Sequence, residues 1–105
     1  MKQIIFNFEN IKSIEDFYTE AKVKLALPEY FGNNLDALWD SVTSGIELPV
    51  DIRFVNLTSE QLEQFHDLIL FLEDASVEMT DELFFEYSLK EDDEDLFYNN
   101  VKLDL

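Results

Sequence analysis

Two carboxylates stand one helical turn apart in the segment NLDALWDSVT, and their type and spacing could do chemistry. At about 100° per residue, Asp36, Asp40 and Thr43 form one stripe of a predicted helix. A neighbouring apolar stripe consists of Leu35, Leu38, Trp39 and Val42. Such a carboxylate pair can act as the acid and base of a hydrolase, or it can contact a basic partner.

Composition alone does not decide whether this pair is functional. The chain has 24 Asp and Glu among 105 residues, so acids scattered over a solvated surface would also reach this spacing. Asp36 suits the start of a helix, where a negative charge is stabilising. Asp40 has no such explanation, because like charges four residues apart cost roughly 0.2–0.5 kcal/mol and Asp is a poor helix former. Both interpretations stay open at this point.

The loop before this helix carries two aromatic residues next to a glycine. Tyr30, Phe31 and Gly32 directly precede the acidic segment. Two aromatic residues beside a glycine, next to exposed acids, are typical of an interface anchor. Trp39 is more commonly a core residue when considered alone. The loop and the helix together are therefore predicted to form one recognition surface.

Other kinds of catalytic or ligand site are scarce in the sequence. His66 is the one imidazole and is interpreted as a surface histidine, since it lies mid-helix without a nucleophile signature nearby. Two glycines are too few for a phosphate-binding loop, and the absence of cysteine excludes thiolate metal sites. The acidic run 91–95 lacks the glycine turn of a calcium loop. We expect no cofactor, no metal and no enzymatic activity.

The charge balance predicts the chemistry of the partner. With 7 Lys and Arg against 24 acids, the formal net charge is 7 − 24 = −17, which opposes binding to nucleic acid or anionic membrane. A partner should therefore be basic. The 47% apolar and 14% aromatic content supplies enough burial for folding. Without cysteines, a signal peptide or a membrane span in the sequence, a cytoplasmic protein is expected.

The first half of the chain predicts a strand followed by two helices. Residues 3–8 are β-branched and aromatic with an apolar centre, which is typical of a buried strand. Ser13 and Asp16 form a capping-box pattern for a helix that runs to about residue 26. Asn33 is predicted to cap the second helix, and Gly45 to end it.

The second half predicts a strand, a helix and another strand. VDIRFVNL over residues 50–57 reads as a strand, and Thr58 with Gln61 forms a capping box for a helix reaching about Asp74. Residues 83–89 form a third strand. Helices between strands favour an α/β fold with a small three-stranded parallel sheet covered by helices, in the order β-α-α-β-α-β.

The predicted domain covers residues 1–90, and an acidic C-terminal extension covers residues 91–105. Val101, Leu103 and Leu105 alternate with polar residues, so the last segment reads as an added edge strand or a tail. We expect the acidic run to add electrostatic steering without forming the central contact.

The segment LALPEYFGNNLDALWDSVTSGIELP, residues 25–49, closely resembles the corresponding part of the barstar family, intracellular inhibitors of the secreted ribonuclease barnase. Weaker similarity covers about residues 3–90, and the family fold is a small three-stranded parallel sheet with packed helices. The sequence departs from the family at Gly45, where an aromatic residue is usual, and at Ser41, which replaces a cysteine. The target nuclease and the rim contacts are therefore expected to differ.

The resemblance implies that the acidic helix and its loop fill the substrate cleft of a ribonuclease. Asp40 would replace a substrate phosphate among the enzyme's basic groups, Asp36 would reinforce it, and Tyr30 would stack on a catalytic-site group. An acid near the end of the third helix, Glu73 or Asp74, is also implied. The predicted partner-binding residues are Tyr30, Phe31, Gly32, Asn34, Leu35, Asp36, Trp39, Asp40, Thr43, Ser44, Gly45 and Asp74.

Three functions are therefore distinguished from the sequence. The first is an immunity or antitoxin protein that binds a basic, extracellular-type ribonuclease one-to-one. The second is an acidic module that docks on basic surfaces of a nucleic-acid-binding protein without inhibiting a nuclease. The third, a hydrolase using Asp36 and Asp40, is disfavoured because no pocket-forming glycines or metal-ligating histidines accompany the pair.

Overall fold

Three strands and four helices follow one another in residues 1–90, the part of the chain that the computed structural model describes. The strands are β1 (Lys2–Asn7), β2 (Val50–Leu57) and β3 (Leu83–Leu89). The helices are α1 (Ile14–Lys24), α2 (Leu35–Ser44), α3 (Ser59–Gln64) and α4 (His66–Glu78). The predicted α/β class with one parallel three-stranded sheet is confirmed. The predicted C-terminal edge strand and the acidic extension lie outside the described residues.

A cluster of phenylalanine rings at the centre of the sheet fixes the helices to it. β2 lies between β1 and β3 and pairs parallel with both, which places Phe6 opposite Phe54. Phe54 is fully buried, and its ring centroid lies 4.7 Å from that of Phe8, 5.8 Å from Phe17 and 4.9 Å from Phe85. The Phe17 ring of α1 also lies 4.9 Å from that of Phe6, so these contacts join α1 directly to β1 and β2, and to β3 through Phe85.

One face of the sheet remains open in the described part of the chain. Ile4 and Phe6 are buried beneath the helices, whereas Ile5 between them is 43% exposed and Phe84 of β3 is 39% exposed. The prediction of a buried first strand is therefore wrong at Ile5. Successive side chains of a strand point to opposite faces, and the described helices cover only one of them.

The third predicted helix is two helices. Phe65 ends α3 and precedes α4 with φ −106° and ψ 21°, outside the helical region. Its buried ring packs against Phe8 with centroids 5.1 Å apart. The order is therefore β-α-α-β-α-α-β, and α4 continues past the predicted end to Glu78. None of the helices in residues 1–90 is both long and apolar enough to cross a membrane.

Gln61 ties the start of α3 to the loop after β1. Its Nε2 donates to the carbonyl oxygens of Phe8 and Ile11 at 3.0 and 2.9 Å, and its Oε1 accepts from the Thr58 backbone N–H at 3.1 Å. The Thr58 hydroxyl in turn accepts from the Gln61 N–H, which completes the predicted capping box. Gln61 is the buried polar side chain of the described core, and its amide is fully engaged.

We expect Gln61→Ala to lower the free energy of unfolding by about 2–3 kcal/mol, because it leaves two carbonyls without their donor. Gln64→Ala is the matched control, since Gln64 donates one bond, to Lys12, at an exposed position. The control should cost under about 1 kcal/mol. Urea unfolding followed by circular dichroism measures both, and equal losses would contradict the role assigned to Gln61.

Candidate functional site

Helix α2 is held at its start by Asn34. The Asn34 side-chain oxygen accepts from the Ala37 N–H at 2.8 Å, and its Nδ2 donates to the Gly32 carbonyl at 3.1 Å. The prediction of Asn33 as the cap is wrong by one residue. Asn33 has a left-handed backbone with φ 51°, and this turn leaves Asn34 in the extended conformation of an N-cap. Loop and helix are thereby fixed to each other.

Two core contacts determine which side of α2 faces solvent. Leu38 and Val42 are fully buried beneath the helix, and as a result Asp36 and Asp40 lie on its exposed side. The two aspartates are separated by about 6 Å along the axis, at 1.5 Å per residue. Within residues 1–90 no ion pair or side-chain hydrogen bond reaches either carboxylate. Both are free to meet cationic groups of a partner.

A groove of about 490 Å³ lies between α2 and α4 on the Asp36 side. We call it the α2–α4 groove. Its lining combines apolar side chains with three carboxylates and contains no basic residue: Leu35, Asp36, Trp39, Phe71, Asp74, Val77 and Glu78. Trp39 and Phe71 pack edge to face, with centroids 5.6 Å apart and planes at 82°. The half-buried indole is thereby held in one orientation.

The α2–α4 groove distinguishes between Glu73 and Asp74, the two candidate acids near the predicted end of the third helix. Asp74 lines this groove, whereas Glu73 does not. Glu78, one turn beyond Asp74 on the same helix, lines it as well and was missed by the sequence reasoning. The spacing of four residues could have indicated it, but the predicted helix ended too early to include Glu78.

A second groove of about 470 Å³ lies on the Asp40 side, between α2 and the preceding loop. We call it the loop groove. Tyr30, which is 89% exposed, and Asp40 are among its lining residues, together with Gly32, Ser41, Ser44 and Gly45. A Cβ on Gly32 would lie 3.1 Å from the Asn34 Nδ2 and would crowd the cap. Small residues therefore keep this groove open next to Asp40.

Phe31 is largely buried, in contrast to Tyr30. Its side chain is only 7% exposed and packs on Tyr18 of α1 with centroids 5.8 Å apart. Burial raises the pKa of the Tyr18 phenol. The two neighbouring aromatic side chains of the loop therefore differ in environment: Phe31 anchors the loop to the core, and Tyr30 projects into solvent. Phe31 also lines the loop groove, and its predicted contact with a partner stays a prediction.

The end of α2 presents its hydroxyls to its own backbone. Thr43 Oγ1 donates to the Trp39 carbonyl at 2.7 Å, and Ser44 Oγ donates to the Asp40 carbonyl at 2.7 Å. The Gly45 N–H donates to the Ser41 carbonyl at 2.7 Å and ends the helix as predicted. The hydroxyl oxygens retain acceptor capacity, so Thr43 and Ser44 can extend a contact around Asp40.

Among residues 1–90, the catalytic components that a hydrolase would need are not assembled around the two aspartates. His66 pairs at 3.6 Å with the exposed carboxylate of Asp67 and lines neither groove. In residues 1–90 no cluster of three or more His, Asp or Glu side chains is arranged to hold a metal ion. The arrangement instead presents fixed negative charge between two partly apolar concavities, which suits the binding of a basic protein surface.

Comparison with known proteins shows similarity to a family and to curated relatives. A family model described as Barstar (barnase inhibitor) matches residues 1–96. A protein of Bacillus subtilis (strain 168), named "Putative ribonuclease inhibitor YrdF", is 34% identical over 85 residues, covering 78% of this chain and 93% of that protein. The family match runs past Lys90, so the predicted domain boundary at that residue stays a prediction.

Proposed function

This chain belongs to the barstar family of barnase inhibitors, and from that premise we propose that it inhibits a ribonuclease by filling the enzyme's substrate cleft with α2 and the loop before it. The observation that carries the proposal is the exposed pair Asp36 and Asp40, which has no ion-pair partner within residues 1–90 and lies on a helix between two grooves. Catalysis is not part of this function.

A ribonuclease cleft binds the phosphates of RNA through basic side chains. In the enzyme without substrate, these positive charges are available to an inhibitor. Asp36 and Asp40 would accept charge-assisted hydrogen bonds from those groups in place of phosphate oxygens. The Asn34 cap and the buried Leu38 and Val42 fix the helix before binding. Little conformational entropy is then lost in the complex, which favours tight association.

The two grooves place aromatic and further acidic side chains on either side of Asp36 and Asp40. Tyr30 offers an exposed ring for stacking beside Asp40, and Trp39 offers an oriented indole beside Asp36. Asp74 and Glu78 add carboxylates across the α2–α4 groove from Asp36. A cationic side chain entering that groove would meet charge at its rim and an aromatic surface at its floor.

The net charge of −17 supports the same partner over longer distances. Association steered by complementary charge reaches on the order of 10⁸–10⁹ M⁻¹s⁻¹ at low salt, a range known partly from barnase and barstar themselves. We propose that the protein acts in the cytoplasm as an immunity protein, protecting its host from a basic extracellular-type nuclease.

The experiment titrates the purified protein into barnase and into the secreted ribonucleases of its own organism while RNA cleavage is measured. We expect inhibition that is complete at one-to-one stoichiometry, and no hydrolysis of RNA by the protein alone. Hydrolysis that Asp36→Asn abolishes, or no inhibition of any of these nucleases, would contradict the proposal.

The acidic docking module remains the second candidate, since the acids of the described chain are not confined to α2. Such a module would bind basic proteins through its entire surface, with no special dependence on Asp40. It would also bind them without blocking a nuclease active site, which the titration detects as binding without inhibition.

A further inference from the structure

The outer edge of β3 has no partner strand in residues 1–90. The sheet order is β1-β2-β3, so β3 pairs only with β2. In such a strand, alternate N–H and carbonyl groups point away from the neighbour and need another partner. The opposite edge differs, because the Lys24 ammonium on α1 donates to the Ile5 carbonyl of β1.

Apolar side chains accompany this free edge. Phe84 is 39% and Tyr87 44% exposed, although both belong to a strand of the sheet. A groove of about 480 Å³ also opens beside the first half of β3, where the apolar side chains of Leu83, Phe84 and Phe85 line it. Its lining also includes the charged residues Asp51, Arg53, Asp81 and Glu86. The edge therefore offers both hydrogen-bonding groups and an apolar surface to an extended segment.

The chain that continues from β3 has the length and composition to occupy this edge. Lys90 directly follows β3, and its N–H donates to the Leu57 carbonyl at 2.8 Å, at the carboxyl end of the sheet. Residues 91–95 are all acidic. Residues 96–105 carry one Lys and one Asp, so they are formally neutral, and six of the ten are apolar or aromatic.

The length of the segment is compatible with pairing along the whole of β3. Ten extended residues span roughly 33 Å, whereas the seven residues of β3 span roughly 23 Å. The five acids between the two segments would stay in solvent at the turn, where charge is tolerated. Val101, Leu103 and Leu105 alternate with polar residues, as a half-buried strand requires.

We propose that the free edge of β3 is the docking site for residues 96–105 of the same chain. A direct return brings the segment antiparallel to β3, and backbone hydrogen bonds then give the binding energy while the apolar side chains cover Phe84 and the neighbouring groove. This inference does not depend on the proposed inhibition of a ribonuclease.

Amide hydrogen exchange of the full chain, measured by NMR, tests this docking. We expect the β3 amides that point away from β2 to exchange at least about tenfold more slowly than exposed amides. Leu103→Asp should remove that protection, while Asn100→Asp, which adds the same charge to the same segment, should retain it. The β3 amides that face β2 report in every variant whether the sheet is intact.

Four results would overturn the proposal. The outward-pointing amides of β3 could exchange as fast as exposed amides in the unchanged chain, or they could stay protected in Leu103→Asp. Their protection could also be lost equally in Leu103→Asp and Asn100→Asp, or it could fall when the protein is diluted. The last result would make a second copy of the chain the occupant of the edge. Protection that is independent of concentration and lost only in Leu103→Asp supports docking of the chain's own segment.

Discussion

Replacement of Asp40 by alanine is expected to weaken binding to the target ribonuclease by on the order of 2–5 kcal/mol or more, a range to which the barnase–barstar pair itself contributes. In the proposed complex the Asp40 carboxylate is desolvated among basic groups of the cleft. Its removal leaves those cationic groups buried without a partner. Surface plasmon resonance should show the loss mainly as faster dissociation that persists at high salt.

Glu63→Ala is the matched control for Asp40→Ala. Glu63 is an exposed acid on α3 and lines neither groove of the candidate site. Both substitutions remove one negative charge, so both should reduce long-range steering and slow association by similar, salt-screened amounts. If the two variants lose equal affinity and both losses vanish at about 1 M salt, binding is diffuse and the cleft-filling proposal is wrong.

The fold could be predicted because its local signals agree with its tertiary contacts. The capping boxes at Ser13 and Thr58 begin helices where predicted, and β3 runs over the predicted residues 83–89. The break at Phe65 could not be predicted from periodicity, because Phe65 and Ile69 are four residues apart and both are buried. The break depends on where the Phe65 ring meets Phe8, a contact between distant parts of the chain.

The candidate site was predictable where one helix determines it and less so where two elements meet. The helical period alone places Asp36 and Asp40 on one side of α2. Tyr30 and Phe31 have the same sequence context, and only the contact between Phe31 and Tyr18 of α1 turns one ring inward. Similarly, the choice of Asp74 over Glu73 depends on how α4 faces α2.

Trp39→Ala is expected to weaken the complex by at least about 2 kcal/mol, the scale of a hot-spot truncation. Trp39 lies in the α2–α4 groove beside Asp36, where its indole can contact a cationic or apolar side chain of the nuclease. Because the ring also packs on Phe71, the substitution should lower the free energy of unfolding as well. Isothermal titration calorimetry and urea unfolding measure the two effects separately.

Phe71→Ala distinguishes direct contact from support of the fold. It removes the other ring of the edge-to-face pair but retains the indole itself, so it should destabilise the fold while costing less affinity than Trp39→Ala. This order follows because Trp39 belongs to the helix proposed to enter the cleft, whereas Phe71 belongs to α4. If Trp39→Ala stays folded and binds as tightly as the unchanged chain, the α2–α4 groove is not part of the interface and only the Asp40 side remains as a candidate. If Phe71→Ala loses more affinity than Trp39→Ala, the indole is not the main contact in this groove.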